Sequence, residues 1–326
     1  MIRVGIVGYG NVGRGAEAAV LQSEDMVMTG IFTRRAPKTV HPLRADTPVF
    51  PISVLEDGEA EADVLLLCGG SATDLPVQTP ELARKYCVVD TFDTHARVPE
   101  HFANVDAAAR AGGTAAVIST GWDPGLFSMM RLLGIAILPE GTGDTFWGPG
   151  VSQGHSDAVR RIEGIADARQ YTLPVQKTVN AVRKGESGFT AREKHTRDVY
   201  VVLKEGADPQ RVAHEIVTMP NYFDAYDTTV NFISAEEMAA DHSAMPHGGF
   251  VIRSGRLGET RQYSSLMEFK LELDSNPMFT GSVMAAFGRA CHRLHEQGRS
   301  GCFTAFDVPL GLLSPLSAEE LRAKLL

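Results

Sequence analysis

A glycine-rich turn between a strand and a helix constrains the fold more than any other feature of this sequence. Residues 2–7, IRVGIV, form a short apolar run that predicts a buried parallel strand. Residues 11–21 then carry apolar side chains at helical spacing, and residues 27–32 form a second apolar run. The order of strand, glycine turn, helix and strand predicts a βαβ unit.

The same alternation continues up to residue 119. Strands are predicted at residues 62–68, 87–90 and 114–119, with helices at 80–85, where Pro80 suits a first turn, and at 105–111. Repeated alternation of strands and helices predicts an α/β fold. Its N-terminal part, residues 1–120, is expected to be a Rossmann-type doubly wound parallel sheet.

The character of the sequence changes from residue 121 onward. The segments TGWDPG, FWGPG and SQGHSD are rich in loop residues, while residues 198–203 and 266–273 alternate apolar and polar side chains. That alternation is typical of antiparallel or mixed sheets with one covered face, so residues 121–301 are predicted to form an α+β second domain. A final helix is expected after Ser317, with Glu320 completing a capping box. The pattern leaves open whether the segment from about 302 to 326 packs back on the first domain.

Charge and cysteine usage restrict the classes of partner. The formal net charge is −9, which argues against nucleic acid or an anionic membrane surface as a ligand. No apolar run approaches the ~18 residues of a membrane span, and the N-terminal strand does not resemble a signal peptide. None of the four cysteines (Cys68, Cys87, Cys291 and Cys302) forms a C-x-x-C pair. We therefore expect no metal site, and reduced thiols in a cytoplasmic protein.

The turn itself matches a dinucleotide-binding fingerprint. Residues 8–13, GYGNVG, fit G-x-G-x-x-G, and they leave a strand and open a helix, which is the context that gives the motif weight. Gly8 permits the tight turn, Gly10 lets a pyrophosphate approach the backbone, and Gly13 lets helix and strand pack closely. Asn11 and Val12 begin the helix whose N–H groups would face the phosphates. The alternative is a glycine turn that binds no ligand.

Residues 33–35 predict which dinucleotide binds. At the end of the second strand an acidic residue would accept from the ribose 2′-hydroxyl of NAD, but this chain has Thr33, Arg34 and Arg35. Guanidinium groups bind phosphate bidentately, so these residues favour NADP over NAD. The alternative is a pair of solvated surface arginines.

Carboxylates collect after two later strands. Asp90 and Asp93 lie in VVDTFDTH, and Asp123 lies in STGWDPG. Ligands of open α/β sheets bind at the carboxyl ends of the strands, where such acids would suit a substrate amine. For Asp90, a structural role as a turn acceptor is the better interpretation.

Several longer motifs are distributed along nearly the whole chain. They are VGYGNVGR, IFTRRA, SATDLP, STGWDPGLFS, FWGPGVSQGHSDAVRRI, QYTLP, MPHGG and SNP. In sequence and in order these motifs resemble the meso-diaminopimelate dehydrogenase family. The resemblance implies a homodimer of an NADP-binding Rossmann domain and a substrate-binding and dimerisation domain. It further implies NADP-dependent, reversible oxidative deamination of the D-centre of meso-2,6-diaminopimelate to L-2-amino-6-oxopimelate (tetrahydrodipicolinate) and ammonia, in lysine biosynthesis.

The resemblance also implies site residues. Catalytic roles at the D-centre amine fall to Asp93 and Asp123. Cofactor contacts fall to the glycine turn, to residues 33–35 and to three further loops. These residues are Gly8, Gly10, Asn11, Val12, Gly13, Thr33, Arg34, Arg35, Cys68, Gly69, Gly70, Ser71, Thr91, Phe92, Asp93, Gly121, Trp122, Asp123, Pro124 and Gly125. Substrate contacts fall to Trp122, Trp147, Gln153, Gly154, His155, Thr172, Arg197, His247 and Asn276. Arg192 is the alternative to Arg197 as the arginine that contacts the distal end of the substrate.

The chemistry of the substrate agrees with these residues. Diaminopimelate carries two ammonium groups and two carboxylates, so its site needs acids as well as Arg, His or backbone donors. The reacting amine must lose a proton, which Asp93 or Asp123 could accept, whereas the group that activates the attacking water stays open. Two alternatives remain: an NADP oxidoreductase similar to dihydrodipicolinate reductase, and a non-catalytic NADP-binding sensor.

Overall fold

The strands and helices were located in a computed structural model that describes residues 1–326. The strands are numbered in chain order: β1 (Ile2–Val7), β2 (Met26–Thr33), β3 (Val49–Pro51), β4 (Val64–Leu67), β5 (Val88–Asp90), β6 (Ala115–Val117), β7 (Thr142–Trp147), β8 (Gly150–Val151), β9 (Ile165–Pro174), β10 (His195–Leu203), β11 (Asp227–Phe232), β12 (His247–Leu257), β13 (Tyr263–Leu273) and β14 (Gly301–Phe303).

The α-helices are numbered in the same way: α1 (Asn11–Leu21), α2 (Ser53–Glu56), α3 (Leu75–Ala83), α4 (Val98–Gly112), α5 (Phe127–Ile137), α6 (Gln153–Arg160), α7 (Gln176–Arg183), α8 (Ala191–Lys194), α9 (Pro209–Val217), α10 (Ala235–Asp241), α11 (Asn276–Glu296) and α12 (Ala318–Leu325). None of them combines the length and apolar character that crossing a bilayer requires.

A seven-stranded parallel sheet confirms the predicted α/β fold. Its strand order is β14-β6-β5-β4-β1-β2-β3, and every neighbouring pair is parallel. The side chains of β4, VLLL, are all buried, as expected for a strand covered by helices on both faces. The chain leaves β1 to form β2 on one side and β4 on the other, which is the switch point where doubly wound sheets bind ligands.

The sheet belongs to a first structural unit made of two chain segments, Met1–Met129 and Pro277–Leu326. The C-terminal segment contributes β14, which pairs with β6, and the long helix α11. Helices α1 and α11 approach so closely that a Cβ on Gly281 would lie 2.1 Å from the carbonyl carbon of Gly15. Helix α12 begins with the predicted capping box between Ser317 and Glu320.

The second unit, Met130–Asn276, contains two smaller sheets. In one, the order is β11-β10-β9-β8, with β10 parallel to β11 and antiparallel to β9. In the other, β12 lies between β13 and β7, and both pairs are antiparallel. Sheets of this kind agree with the alternating pattern of residues 198–203 and 266–273. The units change over at residues 129–130 and 276–277, whereas the sequence analysis placed boundaries near residues 120 and 301.

Two helices begin earlier than the sequence analysis predicted. Helix α3 starts at Leu75, so Pro76 occupies the first turn and Pro80 lies inside the helix. The prediction that this helix starts at Pro80 is therefore wrong. Helix α4 starts at Val98 rather than near residue 105. In both helices the buried residues are spaced i, i+4, i+7 and i+8, so packing of one face against the sheet sets the helix length and outweighs the proline.

Candidate active site

The glycine turn has the geometry that a dinucleotide requires. Gly8 has φ +85°, a left-handed conformation that glycine adopts without strain, and its N–H donates to Phe32 O at 2.9 Å. A Cβ on Gly13 would lie 2.4 Å from Gly8 O, so helix α1 and the turn are in backbone contact. A Cβ on Gly10 would meet no atom within 4 Å. The turn therefore combines close packing beneath with open space above the N-terminus of α1, where Asn11 and Val12 lie.

The two arginines predicted to bind the cofactor follow β2 and have different hydrogen-bond partners. Arg35 Nη2 donates to Tyr9 O at 2.6 Å, and Arg35 N donates to Thr33 Oγ1 at 3.1 Å. Arg34 pairs with Asp74 at 2.9 Å, while 64% of its side chain stays exposed. Arg35 thus contacts the glycine turn itself, whereas Arg34 is tied to the start of α3.

The loop after β4 lies beside these arginines. Asp74, the partner of Arg34, also accepts from Gly70 N at 2.9 Å, which fixes the loop that contains Gly69. Burial raises the pKa of the Cys68 thiol to about 12, so this cysteine is not a reactive thiolate. None of the four cysteines forms a disulfide, in agreement with the expected reduced thiols.

Asp90 is a structural acceptor, as the sequence analysis favoured. It is fully buried at the end of β5. Its Oδ2 accepts from Thr79 Oγ1 at 2.8 Å and from His101 Nε2 at 2.6 Å. Its Oδ1 accepts from Ser119 N at 2.8 Å and Phe92 N at 3.1 Å. Asp90 therefore joins the two loops that carry Asp93 and Asp123, and it has no lone pair left for a substrate.

The loop after β5 presents Asp93 to solvent. Asp93 is exposed, and its N–H donates to Ser71 Oγ at 2.8 Å, which ties it to the loop after β4. Thr91 is half-buried. The Phe92 side chain is buried and stacks on His101 at 4.1 Å between ring centroids. Any contact of Phe92 with a cofactor must therefore be made by its backbone.

The WDPG segment forms a tight turn after β6. Gly121 precedes it in an extended conformation, and Gly125 has φ +120°. Trp122 is buried and meets Phe127 edge-on at 5.2 Å between ring centroids. Asp123 and Pro124 are half-buried on the turn. The structure thus brings Ser71 and Asp93 together directly, and it links their loop to that of Asp123 through Asp90.

One of the predicted substrate residues of the second unit, Arg197, is a buried cation. Thr172 of β9 and Arg197 of β10 are opposite each other in the antiparallel ladder, and Thr172 also pairs with Gly150 of β8. Arg197 Nη1 donates to Thr172 Oγ1, and the guanidinium lies 4.0 Å from the centre of the Tyr226 ring. Only 7% of Arg197 is exposed, no carboxylate lies within 4.0 Å, and its Nε has no hydrogen-bond partner. Burial lowers the pKa of this guanidinium.

The structure distinguishes Arg197 from its competitor Arg192. Arg192 is half exposed on α8, where it pairs with Asp227 at 2.5 Å and donates to Asp224 O at 3.0 Å. Arg192 is therefore exposed to solvent and has an acid partner, whereas Arg197 is buried and has none. The buried residue is therefore the better anion-binding group.

Three histidines surround this cation and are kept neutral. Burial, followed by the charge of Arg197, lowers the pKa of His155 to about 4 and that of His195 to about 3. Burial also lowers the pKa of His247. His155 Nδ1 contacts Ser152 Oγ at 2.8 Å, and His195 Nε2 accepts from Trp147 N at 2.9 Å. Neutral imidazoles can donate or accept hydrogen bonds without adding positive charge.

The remaining predicted substrate residues lie on neighbouring segments of this unit. Trp147 ends β7, stacks on His195 at 5.5 Å between ring centroids and is 37% exposed. Gln153 Nε2 donates to Met245 Sδ at 3.2 Å, and Met245 O accepts from Asn276 N at 3.0 Å. A Cβ on Gly154 would meet no atom within 4 Å. Met245 thus joins Gln153 to Asn276.

Sequence reasoning missed several residues of the site. Tyr226, His195 and Met245 each contact a predicted residue, and none was proposed. His195 could have been found, because it lies two positions before Arg197 on a strand and therefore on the same face. Tyr226 and Met245 meet the site only through pairing of distant segments, which a single sequence does not reveal. No group of three or more His, Cys, Asp or Glu side chains is arranged to hold a metal ion.

Comparison with known proteins agrees with this geometry. Residues 121–275 match the family described as the diaminopimelic acid dehydrogenase C-terminal domain. The chain is 57% identical to the meso-diaminopimelate D-dehydrogenase of Lysinibacillus sphaericus and 56% identical to that of Ureibacillus thermosphaericus. Both alignments cover 100% of this chain and 99% of the relative.

Solved structures show the same likeness. A mutant meso-diaminopimelate dehydrogenase of Clostridium tetani E88 with diaminopimelate (DAP) has 47% identity and a TM-score of 0.93, with full coverage of both chains. The Corynebacterium glutamicum DAP dehydrogenase in complex with DAP has 46% identity and a TM-score of 0.91, covering 100% of this chain and 99% of that one. An engineered D-amino acid dehydrogenase bound to NADP+ has 44% identity and a TM-score of 0.87, with the same coverage. The chain therefore belongs to the meso-diaminopimelate D-dehydrogenase family.

Proposed function

We propose that this chain catalyses the NADP-dependent oxidative deamination of the D-centre of meso-2,6-diaminopimelate, giving L-2-amino-6-oxopimelate and ammonia. The reaction is reversible and serves lysine biosynthesis. The proposal rests on the family membership of the whole chain and on the chemistry of the two sets of residues described above.

The observation that carries the proposal is the unpaired buried cation Arg197. A buried guanidinium is usually paired with an acid, because an isolated charge costs several kcal/mol in the protein interior. Arg197 has no acid partner, and its Nε is unsatisfied. A substrate carboxylate would supply both the charge and the hydrogen bonds. We assign Arg197, Thr172, His247 and Asn276 to the distal L-amino acid end of the substrate.

The glycine turn and the loops beside it fit NADP. The open space above Gly10 admits a pyrophosphate, and Arg35, Arg34 and Thr33 supply donors for a 2′-phosphate. Residues 68–71, the backbone of residues 91–93 and residues 121–125 complete the cofactor contacts. When bound, NADP accepts the hydride that leaves the D-centre carbon.

The acids of the first unit are assigned to the reacting amine. Asp93 and Asp123 orient the D-centre nitrogen, and a carboxylate oxygen takes its proton, because an ammonium nitrogen has no lone pair to stabilise the oxidised carbon. Trp122 and Trp147 supply rigid aromatic surfaces beside that centre. Gln153, Gly154 and His155 contact substrate polar groups, with His155 neutral because its pKa is about 4.

The protein is further proposed to be a cytoplasmic homodimer. Four unpaired cysteines are typical of a reducing compartment. Helix α5 exposes Leu132, Leu133, Ile135 and Ile137, an apolar surface that a second copy of the chain would cover. Measurement of the molar mass in solution tests the dimer, and a monomer at micromolar concentration would contradict it.

Ammonia release tests the proposed reaction. The enzyme with NADP+ should form NADPH and ammonia in equal amounts from meso-2,6-diaminopimelate and none from the LL isomer, which lacks a D-centre. The DD isomer controls for recognition of the distal L-centre and should react poorly. Reduction of dihydrodipicolinate by NADPH, with no release or uptake of ammonia, would favour the reductase alternative. NADPH binding without turnover of any isomer would favour a sensor.

A further inference from the structure

A fully buried glutamate lies beneath the glycine turn and outside the proposed site. Glu17 of α1 has no exposed surface. Its carboxylate accepts four hydrogen bonds: from Tyr9 OH, from Leu43 N at 2.9 Å, from Arg44 N at 3.3 Å and from Thr47 Oγ1 at 2.9 Å. Three of these donors belong to residues 43–47, so Glu17 anchors the segment between β2 and β3 to helix α1.

The tyrosine of the glycine turn takes part in the same anchor. Tyr9 is the second residue of the fingerprint and is buried. Its hydroxyl donates to Glu17 and also accepts from Leu43 N at 3.1 Å. Burial and the hydrogen bond to Glu17 raise the pKa of Tyr9, so the hydroxyl keeps its proton and remains a donor.

A second link joins the same segment to the same tyrosine. Arg35, the second residue of the segment, donates from Nη2 to the carbonyl oxygen of Tyr9 at 2.6 Å. Tyr9 is therefore held at both ends: its side chain by Glu17 and Leu43, and its backbone by Arg35. This contact uses one of the five N–H donors of Arg35 and orients the others.

We propose that Glu17 and Tyr9 are positioning residues that set the preference for NADP over NAD, because they hold the segment that carries Arg35 against the glycine turn. The inference rests on the proposed binding of NADP. Neither side chain needs to touch the cofactor. Loss of the anchor frees residues 34–47, so that Arg35 must be ordered each time a 2′-phosphate binds, which lowers affinity for NADPH but not for NADH.

Direct binding measurements on two variants test the proposal. Tyr9→Phe keeps the ring and three of the four hydrogen bonds to Glu17, and Glu17→Gln keeps the shape but loses acceptors. The Kd for NADPH and for NADH is measured by titration of nicotinamide fluorescence, and the melting temperature of each variant is recorded. Glu100→Gln, an exposed first-unit glutamate that pairs with Arg97, is the control. The ratio of the two Kd values should move about threefold toward NADH in both variants, less than when Arg35 itself is removed, and should stay unchanged in the control.

A double-mutant cycle separates positioning from general destabilisation. If Tyr9 acts through Arg35, Tyr9→Phe should change the Kd ratio no further in an Arg35→Ala background. A purely structural role would lower the melting temperature and leave the ratio unchanged, and that result overturns the inference. If Glu17→Gln fails to fold, Tyr9→Phe alone carries the test. Failure of the wild-type protein to bind NADPH would instead contradict the proposed function.

Discussion

Arginine is used in two opposite ways in the two units of this protein. Arg34 and Arg35 lie at the surface beside the glycine turn, where Asp74 and the carbonyl of Tyr9 already engage them. Arg197 is buried between Thr172 and the Tyr226 ring and has no acid partner. A surface arginine is hydrated without a ligand, so binding replaces water and gains little. A buried, unpaired arginine has lost its hydration when the chain folded, so an arriving carboxylate gains much more.

The surroundings of Arg197 explain how an uncompensated cation is retained. The face of Tyr226 attracts the guanidinium, and Thr172 accepts one hydrogen bond. The neighbouring histidines stay neutral and add no repulsion. We therefore expect Arg197 to determine affinity for the substrate and Arg35 to adjust the choice of cofactor.

Replacement of Arg197 should have the largest effect. Arg197→Met is expected to lower kcat/KM for meso-diaminopimelate about a thousandfold, roughly 4 kcal/mol, because a desolvated charge partner of the substrate is lost. The free energy of unfolding should not fall, since a buried charge without an acid partner is replaced by an apolar side chain. Steady-state kinetics and urea unfolding measure the two quantities. Arg192→Met is the matched control, and an equal loss in that variant would contradict the comparison.

Loss of the carboxylate at residue 123 should have a smaller effect, confined to turnover. Asp123→Asn is expected to lower kcat about a hundredfold, roughly 3 kcal/mol, because an amide cannot accept the proton of the substrate amine. The Kd for NADPH should stay within about twofold of the wild-type value, as measured by fluorescence titration. Glu24→Gln, at an exposed position, is the control. Unchanged turnover in Asp123→Asn would remove this residue from the mechanism.

Acidification should lower the free energy of unfolding, because protonated His195 would place a second positive charge in the interior near Arg197. The folded-state pKa of His195 is about 3, below the value near 6.5 expected for an unfolded chain. Between these values the unfolded state binds a proton that the folded state does not, so stability is complete above pH ~6.5 and falls as the pH drops. This histidine should remove about 2 kcal/mol between pH 6.5 and pH 5. Urea unfolding of His195→Asn should show a correspondingly smaller loss; an identical loss would contradict the assignment.

The surface arginines should give the smallest effects. Arg35→Ala is expected to weaken NADPH about tenfold relative to NADH, because a charge-assisted contact to the 2′-phosphate is lost. Arg34→Ala should change the ratio only about twofold, since its solvated charge is shared with Asp74. Titration of each variant with both cofactors measures the ratio. Equal weakening of NADPH and NADH by Arg35→Ala would contradict a role in cofactor choice.

The two regions also differ in how far the sequence could predict them. The glycine turn, the strand before it and the arginines lie within residues 2–35, and their roles follow from local spacing and backbone chemistry. Five of the seven strands of the parallel sheet were predicted, because continuous apolar runs mark buried strands. The two edge strands β3 and β14, each only three residues long, were missed. The start of α3 was missed because Pro80 suggested a first turn, whereas burial of Leu75 on the helix face that packs on the sheet extends the helix past it.

The second-unit site is assembled from distant segments and was predictable only by resemblance. Thr172 and Arg197 become neighbours through pairing of β9 with β10. Tyr226, which contacts Arg197, and Met245, which contacts Asn276, belong to other segments of the chain. A single sequence carries no information on such pairing. It also could not decide between Arg192 and Arg197, because the difference between them is burial. Asp90, the last residue of β5, was correctly interpreted as a structural acceptor of turn N–H groups.

Substrate selectivity tests the role of the buried cation most directly. D-lysine is meso-2,6-diaminopimelate without its distal carboxylate, so the two compounds differ at the group that Arg197 is proposed to bind. Initial rates of NADPH formation give kcat/KM for both substrates in the wild-type protein and in Arg197→Met. The wild-type enzyme should prefer meso-diaminopimelate by at least about a hundredfold, and the variant should lose nearly all of that preference. A preference that survives the substitution would show that the distal carboxylate is recognised elsewhere.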